Sequence, residues 1–199
     1  MSTMIKSKLQ DVKRELILEE AAKLFESAGF ENLKVSDLAK SVGVSVGTIY
    51  GMFDSKEGLY LAYVQRQIAA YLDELDARCA QIDSPKEQLK TVFRIKFEHF
   101  ASKRKAVEEC ARNNPLFFSN VRHSSPDIFE RAYAKIAGII GRVNPALDEE
   151  DALQLAYACV GLSDGYLSYW LAADHDLLRR VEPFFAQMML LIEGKPCEV

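Results

Sequence analysis

Apolar residues recur at steps of three and four along almost the whole chain, and this spacing constrains the fold more than any other feature. In the first such segment, Ile17, Ala21, Leu24 and Phe25 form one stripe, and Gly29 follows as the predicted end of the helix. No segment shows a convincing alternation of apolar and polar residues between turn signals. The sequence therefore predicts an all-α fold, and it contains no internal repeat.

Further helices are predicted through the middle of the chain. Residues 56–82 share an apolar face that ends in Cys79 and Ile82, and Ser84 with Pro85 is typical of an N-cap and a first helical residue. Residues 113–126 contain two prolines and predict a loop with a short helical piece. The inward residues of the helices on either side of this loop are predicted to be Leu89, Phe93, Phe97 and Phe100, then Phe129, Tyr133, Ile136, Ile140 and Val143.

The last two predicted helices, residues 152–173 and 177–193, each have two apolar faces. The faces of the first are Ala156, Val160, Ser163, Leu167 and Trp170, and Leu155, Cys159, Leu162, Tyr166 and Tyr169. The faces of the second are Leu177, Val181, Phe184, Met188 and Leu191, and Phe185, Met189 and Ile192, with Pro183 predicted to kink or restart the helix. One core covers one face of a terminal helix, so the second faces predict a homodimer through residues 152–193, with Leu167 and Met188 as candidate contacts. A thicker core within a monomer is the alternative.

Charge and cysteine content exclude several classes of protein. The chain has 199 residues and a formal net charge of −4, which is typical of a soluble protein rather than a general polyanion binder. Its cysteines at positions 79, 110, 159 and 197 have no paired spacing, which predicts reduced thiols and a cytoplasmic protein. The N-terminus has no apolar run typical of a signal peptide. Residues 152–173 are long enough to span a bilayer, but their polar residues and glycines favour a buried helix.

The stretch SVGVSVGTIYGMFDSKEGLY, residues 41–60, carries the strongest functional signal. Gly43 stands where a tight turn needs a positive φ, Ser45 is a candidate N-cap, and Ile49 fills the space between two short helices. This is the pattern of a helix-turn-helix. The residues predicted to face outward from its second helix are Ser45, Gly47, Thr48, Tyr50 and Gly51. Glycine motifs of nucleotide-binding loops are absent.

Residues 17–60 resemble the N-terminal domain of the TetR family of bacterial transcriptional regulators. The matching motifs are I-L-x-x-A-x-x-L-F-x-x-x-G-F at 17–30, D-L-A-x-x-V-G-V-S-x-G-T-I-Y at 37–50 and F-x-S-K-E-x-L at 53–59. The resemblance implies a three-helix DNA-binding domain at 1–55 and a larger helical domain at 56–199, which binds a small molecule and dimerises. Beyond residue 60 the sequence carries no matching motif and resembles the family only in predicting an all-helical domain whose last two helices dimerise.

The resemblance also implies which residues meet double-stranded DNA. Ser45, Gly47, Thr48, Tyr50 and Lys56 stand where family members contact DNA, with Lys56 at a position that binds a phosphate. Phosphate contacts set the position of a protein on DNA, whereas contacts to base edges set sequence preference.

Three residues depart from the family pattern: Lys34, Gly51 and Met52. Lys34 replaces a frequent threonine cap, so we expect it to reach a phosphate instead, with Ser36 helping to cap the helix. Gly51 and Met52 stand where bulky or polar DNA contacts are common, and Gly51 costs about 1 kcal/mol of helix stability relative to alanine. Residues 1–60 contain 8 Lys or Arg and 9 Asp or Glu, so composition alone does not identify a DNA-binding domain. The positions of the basic residues matter more than their number.

The larger domain offers candidates for an unidentified small hydrophobic or aromatic effector. These are Phe97, Phe100, Asn113, Phe117, Tyr133, Asp164, Tyr166 and Trp170. Aromatic residues at helical spacing also occur in an ordinary core. A carboxylate in so apolar a helix needs a partner, and for Asp164 an arginine across the dimer, a polar pocket and water all stay open.

No catalytic set or cofactor motif is present, and His99, His123 and Cys110 do not have metal-ligand spacing. We therefore predict no enzyme activity, no cofactor and no metal site. The leading interpretation is a dimeric, ligand-responsive repressor that binds a pseudo-palindromic operator. The main alternative is a helix-turn-helix protein that acts through a protein partner, with its DNA contacts weakened by Gly51 and Met52. A small helical enzyme is a third interpretation, without a catalytic constellation to support it.

Overall fold

The computed structural model describes residues 2–104, 107–108, 126–173 and 176–194, with side chains from residue 7 onward. These residues form eight α-helices and one 3₁₀ turn, and no strand is found among them, which confirms the predicted all-α fold. They divide into two compact units, one that contains residues 2–67 and 107–108 and one that contains Ile68–Arg104 and the described residues from Pro126 onward. The division falls inside a helix, and the domain boundary after residue 55 stays a prediction.

The first unit contains α1 (Ser2–Asn32), α2 (Val35–Val42), α3 (Val46–Phe53) and the start of α4 (Lys56–Cys79). The predicted stripe of α1 is buried against the short helices, with Ile17, Phe25, Leu38 and Ile49 each at most 2% exposed. Gly29 interrupts α1 with a φ of 79°, as its position suggested, although three more residues follow before the helix ends. The small α2–α3 pair is therefore held by a core that α1 supplies.

The second unit contains the rest of α4, then α5 (Pro85–Ser102), α6 (Pro126–Val143), α7 (Glu149–Ala172), the 3₁₀ turn Leu177–Arg180 and α8 (Val181–Glu193). Phe184 of α8 lies at the centre of its aromatic packing, with ring centroids 4.8 Å from Phe93, 5.3 Å from Phe97 and 5.3 Å from Tyr166. These aromatic residues come from α5, α7 and α8. One apolar core therefore joins these three helices.

Local sequence rules explain where most of these helices begin. Ser84 caps α5 by accepting a hydrogen bond from the Glu87 N–H, and Pro85 is the first helical residue, as predicted. Asp148 caps α7 in the same way by accepting from the Asp151 N–H. Pro183 lies in the first turn of α8, directly after the 3₁₀ turn, so the predicted restart is observed.

Two details of the predicted helices differ from the structure. The helix predicted over residues 56–82 is observed as α4, but it ends three residues early, at Cys79. Leu191, predicted to share a stripe with Met188, is 47% exposed, whereas Met188 is fully buried. The loop predicted at residues 113–126 lies outside the described residues, apart from Pro126, which begins α6.

Cys79 and Cys159 are buried free thiols, in agreement with the interpretation as small apolar residues. Burial raises the pKa of the Cys159 thiol to about 12. Cys110 and Cys197 lie outside the described residues, as does His123. No helix within the described ranges is both long and apolar enough to cross a membrane.

Candidate DNA-binding site

The turn between α2 and α3 has the predicted geometry. Gly43 ends α2 in the left-handed region, with φ 70° and ψ 34°. The Val44 N–H donates to the Ala39 carbonyl at 2.9 Å, which closes the last turn of α2. Leu38, Ala39 and Ile49 are buried beneath the turn. The sequence thus builds a helix-turn-helix from one glycine and three apolar residues.

The recognition helix α3 begins at Ser45, whose hydroxyl accepts a hydrogen bond from the Thr48 N–H at 3.0 Å. The Ser45 and Thr48 hydroxyls are also 2.8 Å apart and hydrogen-bonded. Ile49 and Phe53 face the core, whereas Gly47, Tyr50 and Gly51 are exposed. Thr48 is half-buried, so of the residues predicted to face outward it is the least accessible.

The start of α2 presents Lys34 and Ser36 on the surface. Lys34 occupies the N-cap position in an extended conformation, and its side chain makes no capping hydrogen bond, as expected for a lysine. The Asp37 and Leu38 N–H groups donate to the Lys34 carbonyl instead. Both Lys34 and Ser36 are exposed, and their role in DNA binding stays a prediction.

Lys56 is the first residue of α4, and its ammonium group is already in use within the fold. It donates to the Glu31 carbonyl at 3.0 Å and lies 4.6 Å from the centre of the Phe30 ring. A lysine near the end of a helix satisfies a carbonyl that has no partner inside that helix. Lys56 therefore supports the end of α1, and a phosphate contact by the same ammonium is a second role that we propose.

The junction between α3 and α4 is a tight turn that the sequence motifs did not reveal. Asp54 has φ 63° and ψ −44°, and the Ser55 N–H donates to the Phe53 carbonyl at 2.7 Å, which makes a γ-turn. The Ser55 hydroxyl accepts from the Gly58 N–H at 3.0 Å. The pKa of Glu57 is lowered because its carboxylate is hydrogen-bonded by its own backbone N–H and then by the Ser55 hydroxyl.

Gly58 is a structural requirement of this junction. A Cβ atom at this position would lie 2.0 Å from the Phe53 carbonyl oxygen, at the end of the recognition helix. The sequence motif F-x-S-K-E-x-L leaves this residue as an unspecified position. The one sequence signal for this role is a glycine inside a predicted helix, three residues after Ser55.

Two further residues near α3 were not assigned to the recognition helix by sequence reasoning. Val46, its first residue, is 38% exposed, and an apolar side chain there is able to contact a thymine methyl group. Arg14 of α1 lies 4.7 Å over the Phe53 ring, which fixes a positive charge beside the end of α3.

The described aromatic candidates for effector binding belong to one apolar core or pack against it, but their ring contacts fall into separate groups. Phe97 and Tyr166 lie together, with ring centroids 6.3 Å apart, and the Tyr166 hydroxyl donates to the Gln187 side chain. Tyr133 instead stacks on Tyr157 at 3.8 Å, and the buried Trp170 carries Arg104 over its ring at 5.0 Å. Phe100 is partly buried against the core. Asn113 and Phe117 lie outside the described residues.

Asp164 has a partner that was not among the three alternatives left open by the sequence. The Lys96 ammonium of α5 donates to its carboxylate at 2.7 Å, and both side chains are largely buried. The pair is 68 residues apart in the chain, so no local pattern could identify it. His99, weighed as a metal ligand, is hydrogen-bonded to Glu74, and no group within the described residues is placed to hold a metal ion.

Comparison with known proteins shows that the chain is similar to bacterial transcriptional regulators. Residues 17–63 match the model of bacterial regulatory proteins of the tetR family. The HTH-type transcriptional regulator AlkX of Mycobacterium tuberculosis is 28% identical over 177 residues, which cover 86% of this chain and 84% of that protein. The fold is similar to that of Thermus thermophilus FadR, a TetR family transcriptional repressor in complex with lauroyl-CoA, at 25% identity and TM-score 0.66 over 94% of this chain and 96% of that one. A transcriptional regulator from Saccharomonospora viridis in complex with choline gives 25% identity and TM-score 0.62 over 92% and 96%.

The fold and the α2–α3 geometry thus define a helix-turn-helix transcription regulator that binds DNA. The resemblance to the TetR family is confirmed over residues 17–63, because the family model matches an uninterrupted stretch that contains the whole helix-turn-helix.

Proposed function

We propose that the protein is a cytoplasmic, ligand-responsive repressor that binds a pseudo-palindromic operator as a homodimer. The observation that carries this proposal is the exposed face of α3, where Val46, Gly47, Tyr50 and Gly51 stand free of the core on a helix with a capped start. Small residues at this face let the protein backbone approach the DNA closely. In a two-fold dimer, the recognition helices enter successive major grooves about 34–36 Å apart.

Dimerisation is supported by apolar side chains that the core of one chain leaves uncovered. These are Leu153, Tyr157 and Tyr169 on α7 and Leu190 and Leu191 on α8. Gly161 and Gly165 of α7 have open space where a Cβ would be, so a second helix is able to approach closely there. Leu167 and Met188 are fully buried in their own chain, so they are wrong as candidate dimer contacts. We assign the dimer surface to the exposed residues instead.

Replacement of Lys56 tests the DNA contacts. If its ammonium binds a phosphate, Lys56→Ala weakens binding to every sequence and reduces the slope of log affinity against log salt by about 1. Salt-dependent fluorescence anisotropy with the upstream DNA measures both quantities. Since Lys56 also binds the Glu31 carbonyl, a structural role alone lowers stability and affinity but leaves the salt slope unchanged.

Thr48→Val is the matched variant for sequence preference, because it keeps the shape of the side chain and removes the hydroxyl. If that hydroxyl reads a base edge, the variant changes the ranking of operator sequences while the salt slope stays the same. If neither variant affects DNA binding and no upstream sequence is preferred, the alternative of action through a protein partner replaces the repressor proposal.

The ligand response is supported by the neighbours in structure, one of which binds lauroyl-CoA and another choline. An apolar small molecule in the second unit is expected to raise the melting temperature and weaken operator binding. A 100-fold loss of affinity requires a coupling free energy of about 2.7 kcal/mol. We assign the coupling to α4, which begins beside the recognition helix and contains residues of both units. A ligand that stabilises the protein but leaves operator affinity unchanged would contradict this coupling.

A further inference from the structure

The recognition helix α3 has the sequence VGTIYGMF, which contains no charged and no amide side chain. Base pairs in the major groove are distinguished chiefly by arginine or lysine on guanine, asparagine or glutamine on adenine, and aspartate or glutamate on cytosine. None of these residue types is present in α3, so this helix makes none of those contacts. Its preference for particular base pairs has to come from another kind of contact.

The polar side-chain groups of α3 are two hydroxyls, and neither selects one base. The Thr48 hydroxyl is hydrogen-bonded to the Ser45 hydroxyl at 2.8 Å, and Thr48 is half-buried. The Tyr50 side chain is exposed and carries the second hydroxyl. Because a hydroxyl both donates and accepts, it pairs with donors and acceptors of the bases and with phosphate oxygens alike. Hydrogen bonds from these side chains therefore supply little sequence preference.

The exposed start of α3 is apolar and open to close approach. Val46 is the first residue of the helix and is 38% exposed, and the N-terminal residues of a recognition helix are the ones that contact base edges. A Cβ atom at Gly51 would meet no atom within 4 Å, and one at Gly47 would meet the Ser45 hydroxyl oxygen at 3.7 Å. These two glycines are one turn apart on the same side of α3. The backbone beside Val46 is therefore able to lie close to the base edges, as a side chain as short as valine requires.

The lysines that surround the motif are suited to the DNA backbone rather than to the bases. Lys34 precedes α2, Lys40 lies within it, and both are exposed, whereas Lys56 begins α4. In a helix-turn-helix protein the first helix of the motif crosses the DNA backbone. Lysine contacts to phosphates fix the position of the protein but carry no direct sequence information. The apolar start of α3 is thus left as the surface that reads the bases.

We propose that α3 reads thymine methyl groups in the operator and that Val46 is the side chain that contacts them. This inference rests on the proposed operator binding and adds the chemical feature of the DNA that is recognised. The 5-methyl group of thymine is the apolar group that the four bases present in the major groove. Contact between this methyl group and Val46 distinguishes thymine from cytosine without any hydrogen bond.

Operators with altered bases test the inference, after selection from a randomised duplex pool by the full-length protein has identified the preferred sequence. Replacement of thymine by deoxyuridine removes the methyl group and keeps the base pair. Affinity is expected to fall about fourfold when the contacted thymine is changed in one half-site and about 15-fold when it is changed in both, because one buried methyl group contributes about a factor of four. When cytosine takes the place of this thymine, 5-methylcytosine is expected to bind about fourfold more tightly than cytosine itself. Replacement of guanine by 7-deazaguanine, which removes the N7 acceptor, is expected to change affinity by less than about twofold.

Val46→Ala shows whether the valine side chain makes the methyl contact. This variant is expected to reduce the loss caused by deoxyuridine to less than about twofold in each half-site, as a double-mutant cycle requires of two groups in contact. Val12→Ala is the matched control, since Val12 lies on α1, is 56% exposed and undergoes the same chemical change. The control is expected to keep the full loss of the unmodified protein. Circular dichroism checks that both variants are folded.

Equal affinity for the thymine and deoxyuridine operators, a loss that persists unchanged in Val46→Ala, or a loss of about fivefold or more with 7-deazaguanine would overturn the inference. Each of these results still shows a preferred operator, so operator binding would stand while the methyl contact would be wrong. A selection that enriches no sequence contradicts operator binding itself, and the methyl contact is then overturned with it.

Discussion

Gly58→Ala is expected to abolish operator binding and to lower the free energy of unfolding by about 3 kcal/mol. The added Cβ would lie 2.0 Å from the Phe53 carbonyl oxygen, and a backbone atom cannot move away by rotation of a side chain. Relief of the clash requires α4 to shift from the end of α3. The Asp54 γ-turn and the Ser55 cap would then be lost together.

Gly51→Ala is the matched control for this prediction. Gly51 lies within the recognition helix, and a Cβ there would meet no atom within 4 Å. Alanine at this position is expected to stabilise the protein by up to about 1 kcal/mol, because glycine is a poor helix former. Denaturant unfolding, followed by circular dichroism, measures the free energy of unfolding of both variants. Titration with operator DNA measures the affinity of Gly58→Ala. A Gly58→Ala protein with unchanged stability and unchanged affinity would show that the junction is not built as described.

Leu167→Asp and Tyr169→Asp are expected to have opposite outcomes, although the two residues are two positions apart on α7. Leu167 is fully buried, and an unpaired charge at such a position costs several kcal/mol, so this variant is expected to unfold the second unit. Tyr169 is 57% exposed in the single chain, so its variant is expected to fold normally. If α7 forms the dimer surface, Tyr169→Asp is a monomer with weakened operator binding.

Light scattering after size exclusion distinguishes these outcomes at micromolar concentration, and circular dichroism shows which variant is folded. Tyr169→Phe is the control, since it keeps the ring and is expected to stay dimeric. A folded Tyr169→Asp protein that remains a dimer would place the dimer contacts away from this face. A folded and dimeric Leu167→Asp protein would contradict the burial of Leu167.

Features that depend on neighbours in the chain were accessible from the sequence. Gly43 at the turn, Ser45 as the cap of α3 and Ser84 with Pro85 at the start of α5 were all predicted correctly. Each follows from a rule about φ, an unpaired N–H group or the geometry of proline, and these rules act over three or four residues. The helix-turn-helix could therefore be predicted from the sequence alone.

Features that depend on packing between distant segments could not be predicted from the sequence. Both apolar faces of α7 satisfy a helical period, and only packing against α5, α6 and α8 decides that Leu167 turns inward and Tyr169 outward. The partner of Asp164 is 68 residues away on another helix. The sequence shows a glycine at position 58 but not why glycine is required there. The requirement comes from the Phe53 carbonyl oxygen, five residues earlier, which the turn places against Gly58.

In the α2–α3–α4 junction, the residues that hold the recognition helix in place are different from the residues that the helix exposes to solvent. Ile49, Phe53 and Gly58 are fixed by packing and by backbone contact, whereas Val46, Tyr50 and Gly51 project away from the core. Substitutions at the displayed positions change the surface offered to DNA at little cost in stability. A lineage that carries this junction can therefore acquire a new operator through single steps, each of which leaves a folded protein.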